Sequence, residues 1–82
     1  MNVTIEVRSE RVREQKRKGD KPSLFWQQVG LCSGDGFPVA FEIFRPDGDP
    51  LEVGEHEYDL RFRSGRFQSL EHDPFASRVL GD

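Results

Sequence analysis

Asn2-Val3-Thr4-Ile5-Glu6-Val7-Arg8 alternates polar and apolar side chains without a break. Successive side chains of an extended chain point to opposite faces, so Val3, Ile5 and Val7 share one face and Asn2, Thr4, Glu6 and Arg8 the other. The pattern predicts a first strand over residues 2–8 with one buried face. Residues 11–17 (RVREQKR) are polar on both faces except at Val12 and read as an exposed strand or arm. Gly19, Asp20 and Pro22 then supply turn chemistry ahead of the apolar-aromatic run Leu24 to Leu31. Together these segments predict a hairpin that projects from the body.

The same reading continues toward the C-terminus. Ser33-Gly34-Asp35-Gly36 is a turn, and a strand follows over Phe37 to Phe44. One face of that strand carries Phe37, Val39, Phe41 and Ile43, and the other carries Ala40, Glu42 and Phe44. Pro46, Gly48, Pro50 and Gly54 make residues 45–54 a loop. Tyr58, Leu60 and Phe62 alternate with Asp59, Arg61 and Arg63 in a further strand, which Ser64-Gly65 turns into residues 66–71. Residues 73–82 read as coil or a short final strand. No window has a helical period and no repeat is visible, so helix content is expected to be close to nil. Five or six short strands between Gly/Pro turns fit a small all-β barrel.

A chain of 82 residues makes a single domain, residues 1–82. With 34% hydrophobic and 33% charged residues its core is small, and domains of this size are marginal without a metal, disulfides or self-association. A homodimer is expected, its two-fold interface covering Phe44 and the 64–70 hairpin. One cysteine, Cys32, excludes an internal disulfide and reads as a buried apolar residue. Residues 1–25 lack the basic-then-apolar pattern of a leader, and no stretch approaches the roughly 20 apolar residues that span a bilayer. The expectation is a soluble, cytoplasmic protein with no membrane partner.

The formal net charge is -3, but it is unevenly spread. Residues 8–21 hold Arg8, Arg11, Arg13, Lys16, Arg17, Lys18 and Lys21 against Glu10, Glu14 and Asp20, a balance of +4 against -7 for the remainder. One attractive face on an otherwise repulsive molecule suits binding along an anionic strand in one orientation. A solvated surface hairpin is the usual account of such a run, and the charge alone does not separate the two. The aromatics add the second component. Sequence-independent binding of single strands combines cations for phosphates with rings on which bases stack. Arg13, Lys16, Arg17, Lys18 and Lys21 line the first half and tip of the hairpin, and Phe25 and Trp26 lie on its returning strand. Being neighbours on a strand, only one of these two can face the core. Phe67 follows the Ser64-Gly65 turn, where a ring has little core to join. Core packing remains the ordinary account of each ring taken singly.

Several segments also resemble, in order and spacing, the gene V family of filamentous-phage single-stranded DNA-binding proteins. Met1-Asn2-Val3-Thr4-Ile5 is similar to the family's first strand, and the basic residues leading into Lys21-Pro22 precede a polar-aromatic strand as they do there. Phe37-Pro38-Val39 resembles its aromatic-Pro-Val strand start, Gly54 precedes the next strand, and Gly65-Arg66-Phe67-Gln68-Ser69-Leu70 resembles its Gly-x-Phe-x-Ser-Leu hairpin. The resemblance implies an OB-like, five-stranded antiparallel barrel with a protruding β-hairpin wing. It implies a dimer in the host cytoplasm that coats single-stranded DNA cooperatively during phage replication and packaging. By position, phosphate contacts fall on Arg13, Lys18 and Lys21, a stacking or apolar wing position on Phe25, and the hairpin ring on Phe67. Phe67 of one subunit is expected to complete the groove made by Arg13, Lys21 and Phe25 of the other. The chain departs from the family at Ser23, where some relatives place a tyrosine, and at Glu42, where a lysine contributes positive charge.

Other signals are weaker. Asp47-Gly48-Asp49 lacks the ligand spacing of a calcium loop, and one cysteine with the scattered His56 and His72 gives no zinc pattern. No carboxylate pair or pocket-sized chain points to an enzyme, and no cofactor is expected. Two alternatives stay open. One is a protein-protein interaction module using exposed strands and the acidic remainder; the other is a translational repressor in which the same groove takes RNA.

Overall fold

The computed structural model describes residues 1–32, 36 and 38–81. The chain forms an antiparallel all-β fold of eight described strands: β1 (Asn2–Val7), β2 (Val12–Gln15), β3 (Leu24–Cys32), β4 (Val39–Phe44), β5 (Gly54–Asp59), β6 (Phe62–Ser64), β7 (Leu70–His72) and β8 (Arg78–Val79). The helical content among the described residues is one 3-10 turn, Arg66–Gln68. The expected turn at Ser33–Gly36, except Gly36, and the expected strand start at Phe37 lie outside the described residues, as does Asp82.

β3 is the spine. One of its edges takes two strands in series: β1 pairs Ile5 with Leu31 and Glu6 with Gly30, and β2 then pairs Val12 with Gln27 and Arg13 with Trp26. Its other edge takes β4, with Trp26 opposite Phe44 and Gln28 opposite Glu42. β1 pairs β5, which pairs β8, and β6 with β7 makes a separate two-stranded sheet. No pairing among the described residues returns β4 to β5 or β8, so the expected five-stranded barrel is met as an antiparallel sheet without a hydrogen-bonded closure.

Alternation sets the faces as the sequence predicts. Ile5, Val7, Val29, Ile43, Leu51, Tyr58, Leu60 and Val79 are buried and form the core, with Val3 and Phe41 packed against it. Gln27 occupies the same face of β3 as Val29 and is fully buried. It is also fully used: its Nε2 donates to the carbonyls of Ser9 and Leu51, and its Oε1 accepts from the Leu51 amide. A buried amide with these partners avoids the cost of an unmade bond and ties the jog between β1 and β2 to the 45–53 loop.

Several local expectations change. The strand expected over residues 58–63 begins earlier, at Gly54, and breaks at Leu60 and Arg61. There the Met1–Leu60 pair still exchanges two backbone hydrogen bonds in the β1–β5 register, and the ladder ends at Arg61, whose amide donates to Ser77 Oγ. Residues 66–71 are split into the 3-10 turn and β7, and the short final strand is β8. Phe44, expected in a subunit interface, is half-buried against Trp26 and Phe75 of its own chain, with centroid separations of 5.7 and 5.0 Å. Val39, expected on the inner face, is exposed at the end of β4, and Cys32, expected buried, is half-buried.

Candidate nucleic-acid interface

The predicted projecting hairpin exists as β2, the tip 16–23 and the first half of β3. Its turn uses Gly19 at φ 74, a left-handed conformation that costs glycine little. Lys16, Lys18 and Lys21 are exposed at this tip, and none is in an ion pair among the described residues. Arg17 is exposed too, with its Nε donating to the Pro22 carbonyl at 2.8 Å. Four basic side chains therefore crowd one loop with only Asp20 as a local acid, producing a concentrated positive lobe.

Below the tip, β2, β3 and β4 present an outward face. Directly opposed residues of antiparallel strands share a face, so Arg13, Trp26 and Phe44 stand in one row and Gln28 and Glu42 in the next. Ser9, Arg11, Val12, Arg13, Trp26, Gln28 and Glu42 line one hollow on this face. A second hollow shares Ser9 and Gln28 and runs on past Glu6, Arg8, Gly30, Pro38 and Ala40. The two hollows adjoin at Ser9 and Gln28, between the root of the hairpin and β1. Gly30 keeps the floor of the second hollow low: a Cβ there would lie 2.8 Å from Pro38 Cβ, closer than packed carbons approach.

Trp26 is half-buried in the row, its Nε1 donating to Gln15 Oε1 at 2.8 Å and its ring 5.8 Å edge-on from Phe75. Phe75 is 56% exposed and extends this aromatic patch to the surface. Phe25 points to the opposite face, where Gly48 sits beneath its ring; a Cβ on Gly48 would lie 3.3 Å from the ring carbons. The structure thus brings Arg13 and Trp26 together and sets Phe25 apart from them. Phe67 is also apart, on the 3-10 turn between β6 and β7. It is 98% exposed and has φ 59, ψ 33. A bulky side chain in the left-handed region costs conformational energy, and at 98% exposure the ring recovers almost none of it by packing among the described residues.

Two arginines along the groove, Arg13 and Arg8, are engaged by carboxylates. Arg13 forms a bidentate pair with Glu42, Nε to Oε2 and Nη2 to Oε1, both 2.9 Å. Hydrogen bonding to Glu42 raises the Arg13 pKa above its ordinary value. Arg8 Nε meets Glu6 Oε1 at 2.7 Å, which raises the Arg8 pKa in the same way. Arg11 lines the groove with no carboxylate partner among the described residues.

Sequence reasoning placed Arg13, Lys16, Arg17, Lys18, Lys21, Phe25 and Trp26 on this hairpin, counted Arg11 only within its basic run, and missed Gln28 and Phe75. Alternation could have put Gln28 beside Trp26; nothing local could have put Phe75 there, since its position depends on how the chain returns after β7. Among the described residues no cluster of three or more His, Cys, Asp or Glu side chains could hold a metal, and no helix is long and apolar enough to cross a membrane. No family model matches this chain, and no curated protein or solved structure matches it either.

Proposed function

We propose that the protein binds and coats single-stranded DNA without strong sequence preference, with an OB-like arrangement of its strands and the β2–β3 hairpin as the binding wing. The observation that carries this reading is the union, on one side of the molecule, of an unpaired lysine tip with a groove whose wall holds Arg11 and Arg13 and whose floor holds Trp26. Cations track phosphates while rings take successive bases, and neither element reads sequence. The ordered similarity of Met1–Ile5, Lys21–Pro22 and Gly65–Leu70 to the gene V pattern supports the same reading and the role in phage DNA replication and packaging that goes with it.

A homodimer belongs to this proposal. Phe62, Phe67 and Leu70 are exposed on or beside the short β6–β7 hairpin. Exposed apolar side chains grouped on one element favour contact with another surface. In the dimer Phe67 of one subunit lies over the groove of the other.

Capture of the purified protein on oligo-dT beads at two salt concentrations tests the function. Retention at low salt that falls steeply at high salt is the expected result, because only phosphate binding releases condensed counterions. Retention unchanged by salt, or none at low salt, contradicts it. Sedimentation gives the second test: a species of 9.5 kDa that persists at all concentrations contradicts the dimer.

A further inference from the structure

The wall of the groove carries its own anion. Glu42 presents both carboxylate oxygens to the Nε and Nη2 of Arg13 at 2.9 Å. This is the fork geometry with which a guanidinium receives a phosphate. The pair lies across β3 from strand to strand: Arg13 is in register with Trp26, Glu42 with Gln28, and all four line one hollow. Its partners are 54% and 41% exposed, so the pair is open to solvent and to a ligand. An ion pair so exposed contributes little to stability, which leaves its effect on the groove as its main consequence.

We infer that Glu42 is a built-in competitor for the phosphate site, an affinity-setting residue that occupies Arg13 in the free protein and is displaced when a strand enters. The inference rests on the single-stranded DNA reading of this groove. With Glu42 in place, each Arg13–phosphate contact breaks the Arg13–Glu42 pair and leaves an exposed carboxylate that takes up a cation, so the net counterion release and the added salt dependence are small. The unpaired tip lysines and Arg11 then supply most of the electrostatic attraction, and the groove grips the strand weakly enough to release it. Removing the competitor's charge frees Arg13 to act as a full phosphate contact.

The test is a set of oligo-dT titrations across a fourfold range of salt, using the wild type, Glu42→Gln, Arg13→Gln and the double variant. Glu52→Gln makes the same charge change beside a different hollow, lined by His56, Val79 and Leu80, and serves as the control. Glu42→Gln should bind more tightly and steepen the salt slope by about 0.7, so that fourfold more salt lowers its affinity about threefold more than it lowers that of the wild type. That gain should vanish when Arg13→Gln is present and be absent in Glu52→Gln. Melting curves check that each variant is folded. Equal gains from Glu42→Gln and Glu52→Gln, a gain that survives Arg13→Gln, or weaker binding by Glu42→Gln each overturns the inference while leaving the DNA reading intact. No binding by wild type and Glu42→Gln alike at low salt overturns the DNA reading and this inference with it.

Discussion

The two hairpins of the molecule solve opposite problems. The wing, β2 with β3, grows out of the longest strand, and its root is fixed by a buried amide, Gln27, bonded to Ser9 and Leu51. Its exposed surface is almost wholly charged at the tip. The β6–β7 hairpin has two strands of three residues, pairs with nothing else in the sheet, and exposes Phe62, Phe67 and Leu70. It is held through a few bonds at its base: the Asp73 amide to the Arg61 carbonyl, and Tyr58 Oη with His72 Nε2 at 2.8 Å. A wing with a rigid root can carry repelling cations into solvent. A lightly held hairpin that carries an apolar ring into solvent gains little from that ring within the subunit, which is why the proposed dimer places it against a second chain.

The strongest way to break this contrast is at Gln27. Gln27→Leu removes three hydrogen bonds and leaves the amide and carbonyl of buried Leu51 without them, a cost of about 3 kcal/mol. Denaturant titration should show this loss. A change below about 1 kcal/mol would mean the wing root is held by something else.

Phe67 offers a sharper test because the two hairpins then separate stability from binding. Phe67→Gly relieves a left-handed residue with no packing to lose, so the protein should gain about 1 kcal/mol in stability. Its affinity for oligo-dT should fall by about 1 to 3 kcal/mol, the contribution of one stacked base. Lower stability with unchanged affinity would make Phe67 a packing residue. On the wing, Lys18→Ala and Lys21→Ala should each weaken binding to all sequences alike, reduce the salt slope by about 0.7 and leave the melting temperature unmoved. Normal binding by both variants at moderate salt would contradict the role of the tip.

The smallest effect is in pH. Burial lowers the His72 pKa below its ordinary 6.5, with Arg63 lowering and Asp73 raising it. The unfolded chain then takes the proton first, so the stability from the neutral ring is complete above pH 6.5 and is lost as pH falls through the depressed folded value. Because His72 ties β7 to Tyr58, His72→Gln should show a shallower fall in melting temperature between neutral and mildly acidic pH than the wild type. Parallel curves would show that His72 does not hold the hairpin.

Strand alternation made much of this architecture legible. Val3, Ile5 and Val7, or Ile43 against Glu42, declare their faces because a period of two is local. The basic hairpin was legible for the same reason, since its strands, turn and charges lie within one short stretch. The break at Arg61 was not, because its amide turns to Ser77, 16 residues further along the chain. Nor was the choice between Phe25 and Trp26: alternation says only that they face apart, and the loop at Gly48 decides which side Phe25 fills. Glu42 was visible as a departure from the resembling pattern, but its partner, 29 residues away, appears only once β3 brings β2 and β4 together.

The most direct measurement is a fluorescence titration of Trp26, the sole tryptophan, with poly-dT, poly-U and duplex at several salt concentrations. Under the proposed function, a strand in the groove would place bases against the patch of Trp26, Phe44 and Phe75 and phosphates on Arg11, Arg13 and the tip lysines. Emission should therefore fall to saturation with poly-dT, with an apparent affinity that declines linearly in log salt and with a much weaker response to duplex. Unchanged emission at low salt, together with no shift of a labelled oligo-dT, would contradict the account.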